Sequence, residues 1–133
     1  MKTLLPPDWP RPKGYSNGIA VDAGKLVFVA GQVGWDKDGV FQSDDLVDQF
    51  RQTLDNTLAI MAEAGAGPEH IVRMTWYITS RDEYLGRLRE FGEVYRTMIG
   101  KHYPAMACVE VSGLMEARAK IEIETTCVIH DPT

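Results

Sequence analysis

Apolar residues recur along the chain at two spacings, one typical of strands and the other typical of helices. Residues 19–21 and 26–33 are rich in strand-forming side chains, and the short turn-forming stretch between them predicts a β-hairpin. Residues 72–79 alternate between apolar and polar side chains, which predicts a strand with one buried face. Residues 106–111 and 120–129 predict two further strands near the end of the chain.

Two segments between these strands carry apolar residues at helical spacing. The first predicted helix starts after Ser43, a favourable N-cap, and ends at Gly65. The second starts after Ser80, which has the spacing of a capping box with Glu83, and continues to about Gly100. Each helix has one apolar stripe, formed by Leu46, Phe50, Leu54, Leu58 and Met61 in the first and by Leu85, Leu88, Gly92 and Tyr95 in the second.

The order of the predicted elements, ββαβαββ, indicates an α+β fold. Two strand–helix units side by side place both helices on one face of a single mixed sheet. Because each helix has one apolar stripe, the other sheet face would stay open in a single copy, and we expect self-association to cover it. The length fits one domain, 1–133, with an extended arm at 1–14 that contains four of the seven prolines and that Trp9 is expected to anchor.

Charge and composition narrow the range of partners. The chain has 14 basic and 19 acidic residues, a net charge of −5, and these residues are interleaved along the sequence. A protein that binds nucleic acid normally presents a basic face to the phosphates, so a role on nucleic acid is disfavoured. No apolar run approaches the ~20 residues that span a bilayer, and a secretory signal is absent. We therefore expect a cytoplasmic protein without a membrane partner.

Cysteine and histidine residues show no metal-binding pattern. Cys108 and Cys127 lie far apart and outside any CxxC motif, so both are expected to be free thiols. The three histidines are scattered, without an HExxH motif or a closely spaced Cys/His set. The sequence therefore predicts that the protein has no metal site.

Five segments in collinear order carry a family resemblance, and they are Gly14–Gly18, Leu26–Gln32, Gln49–Asn56, Ile71–Thr75, and Pro104–Val111 together with Ile121–Glu124. They resemble the corresponding segments of the Rid/YjgF family of imine and enamine deaminases. The resemblance implies a chorismate-mutase-like fold and a homotrimer with small-molecule pockets between neighbouring subunits. It also implies hydrolysis of a reactive imine or enamine to a carbonyl compound and ammonia, with no cofactor and no metal.

By this resemblance, four residues match pocket positions of the family: Tyr15, Gly31, Cys108 and Glu122. Imine hydrolysis needs water to attack carbon while nitrogen is protonated, and the Glu122 carboxylate would position the water and transfer protons. Backbone groups near Gly31 and Cys108 would hold a substrate oxygen, and Tyr15 would form one wall. Each residue also has a structural interpretation. Tyr15 would pack beneath the arm, Gly31 would allow a strand bulge, Cys108 would be a buried thiol, and Glu122 would be a solvated strand residue.

The chain departs from the family pattern at Met106, where the deaminases carry an arginine that binds the substrate carboxylate. A thioether has no donor, and loss of such a bidentate contact weakens binding by ~2–4 kcal/mol, which predicts altered specificity. One hypothesis is that Arg89, on the second predicted helix, supplies the missing cation. The alternative for Arg89 is a pair with Glu93 at i,i+4 on a solvated face. Another hypothesis is a different ligand, aromatic or less anionic.

Three functions stay open at this point. The first is an imine/enamine deaminase of altered specificity, with Glu122 as the catalytic residue. The second is a non-catalytic trimer that binds a small molecule, which the Met106 replacement favours. The third, a ribonuclease or translation inhibitor, follows names used for relatives and is disfavoured by the net charge of −5.

Overall fold

The strands within residues 1–130, the part of the chain that the computed structural model describes, are β1 (Lys2–Leu4), β2 (Gly18–Ala20), β3 (Lys25–Val33), β4 (Ile71–Ile78), β5 (Ala105–Glu110) and β6 (Ile121–Ile129). β1 and β2 form a small antiparallel sheet. The other four form the main sheet in the order β3-β6-β4-β5. In the main sheet β4 and β5 run parallel, and the other neighbours run antiparallel. The sheet is therefore mixed, as predicted, and its outer strands are β3 and β5.

The helices of the described residues are α1 (Leu46–Glu63), α2 (Arg81–Leu85) and α3 (Leu88–Met98), with a 3₁₀ turn at Pro68–His70. Helices α1 and α3 pack on one face of the main sheet. Phe50 of α1 contacts Trp76 of β4 and Phe91 of α3, with ring centroids 4.9 and 4.4 Å apart. Burial of one such side chain contributes about 1.5–3 kcal/mol. The predicted α+β class is confirmed.

The opposite face of the main sheet is uncovered in the single chain. Phe28 on β3 is 73% exposed, and Leu26 and Val109 are exposed as well. Along β6 the buried residues alternate with Glu122 and Glu124, which lie on the uncovered face, as the sequence pattern predicts. An apolar sheet face beside unpaired outer strands is a surface on which another chain can dock.

The predicted hairpin between residues 19–21 and 26–33 is wrong. β2 pairs with β1, at the start of the chain, and β3 pairs with β6, near its end. The first residues of the proline-rich arm therefore form a strand, and Trp9 remains 58% exposed instead of anchoring the arm in a groove. Strand-forming residues indicate that a segment is extended, but they do not identify the strand with which it pairs.

The first helix begins at Leu46, with Asp45 and not Ser43 as its N-cap. Asp45 accepts a hydrogen bond from the Asp48 amide at 3.0 Å, whereas Ser43 accepts one from the Asp45 amide. A hydrogen bond from the Arg87 guanidinium and the one from the Asp48 amide hold the pKa of Asp45 below its usual value. Both side chains thus contribute to the helix start, and the N-cap lies two positions after the predicted one.

The second predicted helix is interrupted: α2 ends at Leu85, and α3 begins at Leu88. Ser80 caps α2 as predicted. At the break, Arg87 forms an ion pair with Asp45 at 2.8 Å, which ties this corner to the start of α1. Leu85 and Leu88, predicted to lie in the buried stripe, are exposed. Arg87 and Asp45 are 42 positions apart in the chain, so the spacing of apolar residues in this segment does not indicate their contact.

Candidate functional site

A cavity of about 670 Å³ lies between β5, helix α3 and the end of the N-terminal arm. Its walls include Tyr15, Met106 and Cys108, three of the residues singled out from the sequence. The remaining wall is largely aromatic, and we call the whole space the aromatic cavity. Its aromatic residues are Tyr15, Trp76, Tyr84, Phe91, Tyr95 and Tyr103.

The register of β5 places Met106 and Cys108 in the cavity wall. Met106 is paired with Met74 and Cys108 with Trp76, so these alternate residues of β5 share the helix-covered face of the sheet. Both side chains are half-buried and pack against the core. Met106 thus presents a thioether in the wall, without the donors of an arginine.

Tyr15 is held against the start of β5 by its neighbour. The Ser16 amide donates a hydrogen bond to the Pro104 carbonyl at 3.0 Å, and the Ser16 hydroxyl donates one to the Tyr103 carbonyl at 2.6 Å. Ser16 also forms a parallel bridge with Ala105. These contacts, 87 positions apart in the chain, bring the arm and β5 together and place the partly exposed Tyr15 at one side of the cavity.

The aromatic walls are packed against one another. The rings of Tyr95 and Tyr103 stack at 5.5 Å, and Tyr84 meets Phe91 edge to face at 4.9 Å. Such arrangements contribute about 0.5–1.5 kcal/mol per pair beyond area burial, and they limit side-chain movement. The indole Nε1 of Trp76 is buried and has no hydrogen-bond partner within residues 1–130. The aromatic cavity is therefore a preformed space with apolar walls.

Cys108 is a neutral thiol at physiological pH. Burial raises its pKa to about 11, although a hydrogen bond with Tyr84 opposes part of that shift. Burial, with smaller effects of Cys108, raises the pKa of Tyr84 to about 12. A thiol with this pKa is almost entirely protonated at pH 7, so it is a poor nucleophile. The geometry suits Cys108 to contact a ligand and not to attack it.

Gly31 and Glu122 form a second group. The pairing of β3 with β6 shifts register between Val29 and Gln32, and this irregularity contains Gly31. A Cβ atom at Gly31 would collide with the Glu122 carboxylate, so glycine is the residue that permits the close approach. Within residues 1–130 Glu122 has no hydrogen-bond or ion-pair partner.

Glu124 provides a contrast two residues further along β6. Its carboxylate accepts a hydrogen bond from the Tyr77 hydroxyl at 2.7 Å, which is the main reason that the pKa of Tyr77 is raised. The two glutamates lie on the same face of the sheet, but Glu124 is occupied in a structural contact. Glu122 is the carboxylate left free to bind water or substrate.

The two groups of site residues lie on opposite faces of the sheet in one chain. Met106 and Cys108 share the helix-covered face with Met74 and Trp76. Glu122 is paired across the sheet with Tyr77, on the uncovered face. The groups are also at opposite sides of the sheet, because β5 is one outer strand and Glu122 lies beside the other, β3. A single copy therefore does not bring all of these residues together.

Arg89 lies outside the aromatic cavity. Its side chain is 92% exposed and its Nε lies 3.6 Å from Glu93 Oε1, the i,i+4 pair that the sequence also allowed. The cations that do line the cavity are Lys13 and Arg96, which the sequence analysis missed. A signal for Arg96 was present, since it follows Gly92 of the apolar stripe by four residues and so lies one helical turn away.

Residues 1–130 show neither a cluster of metal-ligating side chains nor a membrane-spanning helix. They contain no group of three or more His, Cys, Asp or Glu side chains placed to hold a metal ion. Both cysteines are free thiols, as predicted. None of the helices described above has the length and apolar character needed to cross a bilayer.

Known proteins resemble this chain over most of its length. Residues 10–129 match the family described as Endoribonuclease L-PSP. "Putative reactive intermediate deaminase TdcF" of Escherichia coli is 33% identical over 81% of this chain and 82% of its own. The crystal structure of E. coli TdcF with bound serine has a TM-score of 0.68, covering 97% of this chain and 99% of the other.

Solved structures also resemble this chain over most of its length. The crystal structure of YyfB from Yersinia pestis, a protein of the Rid family, has a TM-score of 0.83 at 26% identity, covering 96% of this chain and 98% of the other. The sequence match spans more than half of the chain, and the solved relatives share its architecture from end to end. The chain therefore belongs to the Rid/YjgF family, the family also described as endoribonuclease L-PSP.

Proposed function

We propose that this protein is an imine/enamine deaminase of altered specificity, which hydrolyses a reactive small-molecule imine to a carbonyl compound and ammonia. The observation that carries the proposal is the free Glu122 carboxylate held against the backbone of Gly31. Membership of a family that includes a protein named as a reactive intermediate deaminase supports it. Met106, in the position of the usual arginine, is the reason for expecting a different substrate preference.

The reaction requires proton transfers that one carboxylate can perform. Glu122 removes a proton from water as its oxygen attacks the imine carbon, which gives a carbinolamine. That proton goes to the imine nitrogen as the carbinolamine forms. The carboxylate then takes the hydroxyl proton and delivers it to the same nitrogen, the C–N bond breaks, ammonia leaves and the oxygen becomes the carbonyl. Water is consumed and the proton count balances, without any change of oxidation state. Backbone groups beside Gly31 and Cys108 orient the substrate in this scheme.

Catalysis in this scheme needs a second copy of the chain. Glu122 and the aromatic cavity lie at opposite sides of the sheet, so an outer strand β5 docked beside β3 of a neighbour brings the cavity of one subunit toward Glu122 of the next. A contact between two different surfaces closes into a ring when the rotation permits, and a trimer is the arrangement proposed here. The exposed Phe28, Leu26 and Val109 are the apolar surface available to such a contact.

The test is a panel of imines generated in place by an amino-acid oxidase, with semicarbazide trapping what survives. The wild type should suppress trapping for at least one imine, and Glu122→Gln should lower this activity by about 100-fold or more, the usual contribution of general acid–base catalysis. Glu124→Gln is the matched control, because it lies on the same strand face and its amide oxygen still accepts the Tyr77 hydrogen bond. Equal activity of wild type and Glu122→Gln would contradict the proposal.

The second candidate is a non-catalytic protein that binds a small molecule. It is favoured by Met106, whose side chain offers no hydrogen-bond donor to the aromatic cavity. It gains support if the wild type binds ligands in the aromatic cavity but suppresses no trapping across the panel. The third, ribonuclease activity suggested by the family description, requires RNA affinity that falls steeply with salt. A filter-binding assay at two salt concentrations tests it directly.

A further inference from the structure

The aromatic cavity has a charge opposite to that of the protein. The chain carries a net charge of −5, yet the cavity is lined by two cations, Lys13 and Arg96, and by no aspartate or glutamate of the described residues. Within residues 1–130 neither cation forms an ion pair with a carboxylate, whereas Arg87, Arg118 and Lys120 all do. Two unpaired cations beside apolar walls attract an anionic group more strongly than they would in open solvent.

The guanidinium of Arg96 lies beside a glycine in the cavity lining. Gly92 also lines the cavity, and a Cβ atom there would lie 3.1 Å from Arg96 Nη1. The guanidinium therefore lies near Gly92, one turn back along α3, while Arg96 stays exposed at the edge of the cavity. Glycine is a poor helix former, and at this position the absence of a Cβ atom leaves room for the guanidinium.

The interior complements an aromatic group. Six aromatic side chains line the cavity, and the stacked and edge-to-face pairs among them form its walls. The volume of about 670 Å³ is in the range of pockets that enclose a ring-bearing small molecule, and it exceeds what a two- or three-carbon imine fills. Met106 adds a polarisable thioether, which makes favourable contacts with aromatic rings.

We propose that the aromatic cavity selects 2-imino acids with an aromatic side chain, whose ring lies among the aromatic walls and whose carboxylate is bound by Arg96. Lys13 adds attraction for the same carboxylate. Arg96 is thus a specificity-determining residue on α3 that takes over the anion-binding role of the arginine missing at position 106. This ligand assignment concerns binding alone. The statement that the bound imino acid is hydrolysed rests on the function proposed above.

The experiment is calorimetric titration of the intact protein with three stable probes: 3-phenylpropanoate, propanoate and 3-phenylpropanamide. The first has both ring and carboxylate, the second lacks the ring, and the third lacks the charge. We expect 3-phenylpropanoate to bind at least about tenfold more tightly than either of the others, since each lost contact removes a distinct part of the recognition. Binding of all three with equal affinity, or of none, overturns the proposal.

Variants then identify the cation. Arg96→Gln should weaken 3-phenylpropanoate about tenfold and leave 3-phenylpropanamide unchanged, which a general loss of structure would not do. Arg51→Gln, an arginine on α1 outside the cavity lining, should change neither affinity. If Arg96→Gln binds like the wild type, or if Arg89→Gln causes the loss instead, the assignment of Arg96 is overturned.

The two proposals fail separately. If the probes bind as expected but no imine is hydrolysed, the deaminase function is wrong and the ligand assignment stands. If small aliphatic imines are hydrolysed in a Glu122-dependent way while 3-phenylpropanoate does not bind, the deaminase function stands and the ligand assignment is wrong.

Discussion

The two faces of the main sheet differ in packing, charge and chemistry. The covered face holds the aromatic cavity, with packed rings, a neutral thiol and two cations at the lining. The uncovered face holds Glu122, Glu124 and Tyr77 together with exposed apolar residues such as Phe28. In the functions proposed above, the covered face encloses an anion with an aromatic ring, and the uncovered face supplies the carboxylate that transfers protons. In one chain the sheet separates these two groups, and the proposed reaction brings them together through a neighbouring copy.

The largest effect should come from breaking the contact between copies. Phe28→Glu places a charge on the exposed apolar face, where an oligomeric contact would bury it without a partner. We expect light scattering to show a monomer and imine hydrolysis to fall to background. Binding of 3-phenylpropanoate and the free energy of unfolding of the chain should stay nearly unchanged.

Leu85→Glu is the matched control, because Leu85 is also exposed but lies on α2, away from the sheet face. If Phe28→Glu remains an active oligomer, the two faces do not cooperate between copies in the way described.

A second change acts on the uncovered face alone. Gly31→Ala introduces a Cβ atom where the Glu122 carboxylate lies, so the carboxylate must move. We expect hydrolysis to fall by about 100-fold, comparable with loss of the carboxylate itself, while probe affinity in the aromatic cavity is unaffected. Gly113→Ala, whose surroundings are open, serves as the control. A parallel loss of binding and hydrolysis in Gly31→Ala would show that the two faces are not independent.

A third change alters the covered face. Met106→Arg introduces a second guanidinium into the cavity, in the wall beside Cys108 and Trp76. We expect the affinity for propanoate to rise about tenfold, because a bidentate contact on β5 no longer requires the aromatic interior. The preference for 3-phenylpropanoate over propanoate should shrink accordingly in calorimetric titration. An unchanged ratio of the two affinities would mean that position 106 does not face the carboxylate.

The smallest effect on activity is expected at Cys108. Its raised pKa means that the reactive thiolate is scarce at pH 7 and increases about tenfold per pH unit until the pH approaches 11. Alkylation by iodoacetamide, followed by peptide mass spectrometry to separate Cys108 from Cys127, should show this rise, and 3-phenylpropanoate should slow it. Cys108→Ser should keep most of the hydrolytic activity. Complete inactivation by this substitution would indicate a nucleophilic role that the structure does not support.

Much of the fold was accessible from local pattern. The alternation in β4 and β6, the stripe of α1 and the Ser80 cap depend on residues a few positions apart, and they were predicted correctly. The family segments also singled out Tyr15, Met106 and Cys108, which line one cavity in the structure, and Gly31 and Glu122, which lie outside that cavity. The errors were of two kinds. The partner of β2 and the break before α3 depend on contacts between distant segments, whereas the cap of α1 and the pairing of Arg89 with Glu93 are local contacts for which the sequence offered more than one choice.

The sequence by itself determined the α+β class, the mixed sheet, the free thiols and the family, because periodicity, caps and motif order are local or collinear properties. The tertiary structure alone decided which strands pair, which cations line the cavity and on which face each site residue lies. Strand pairing and the lining of the cavity depend on contacts between residues far apart in the chain. Many segments have the same local strand propensity, so propensity does not select the partner. For this reason Arg96, which the sequence analysis missed, lines the aromatic cavity, and Arg89, a candidate from the sequence, lies in solvent beside Glu93.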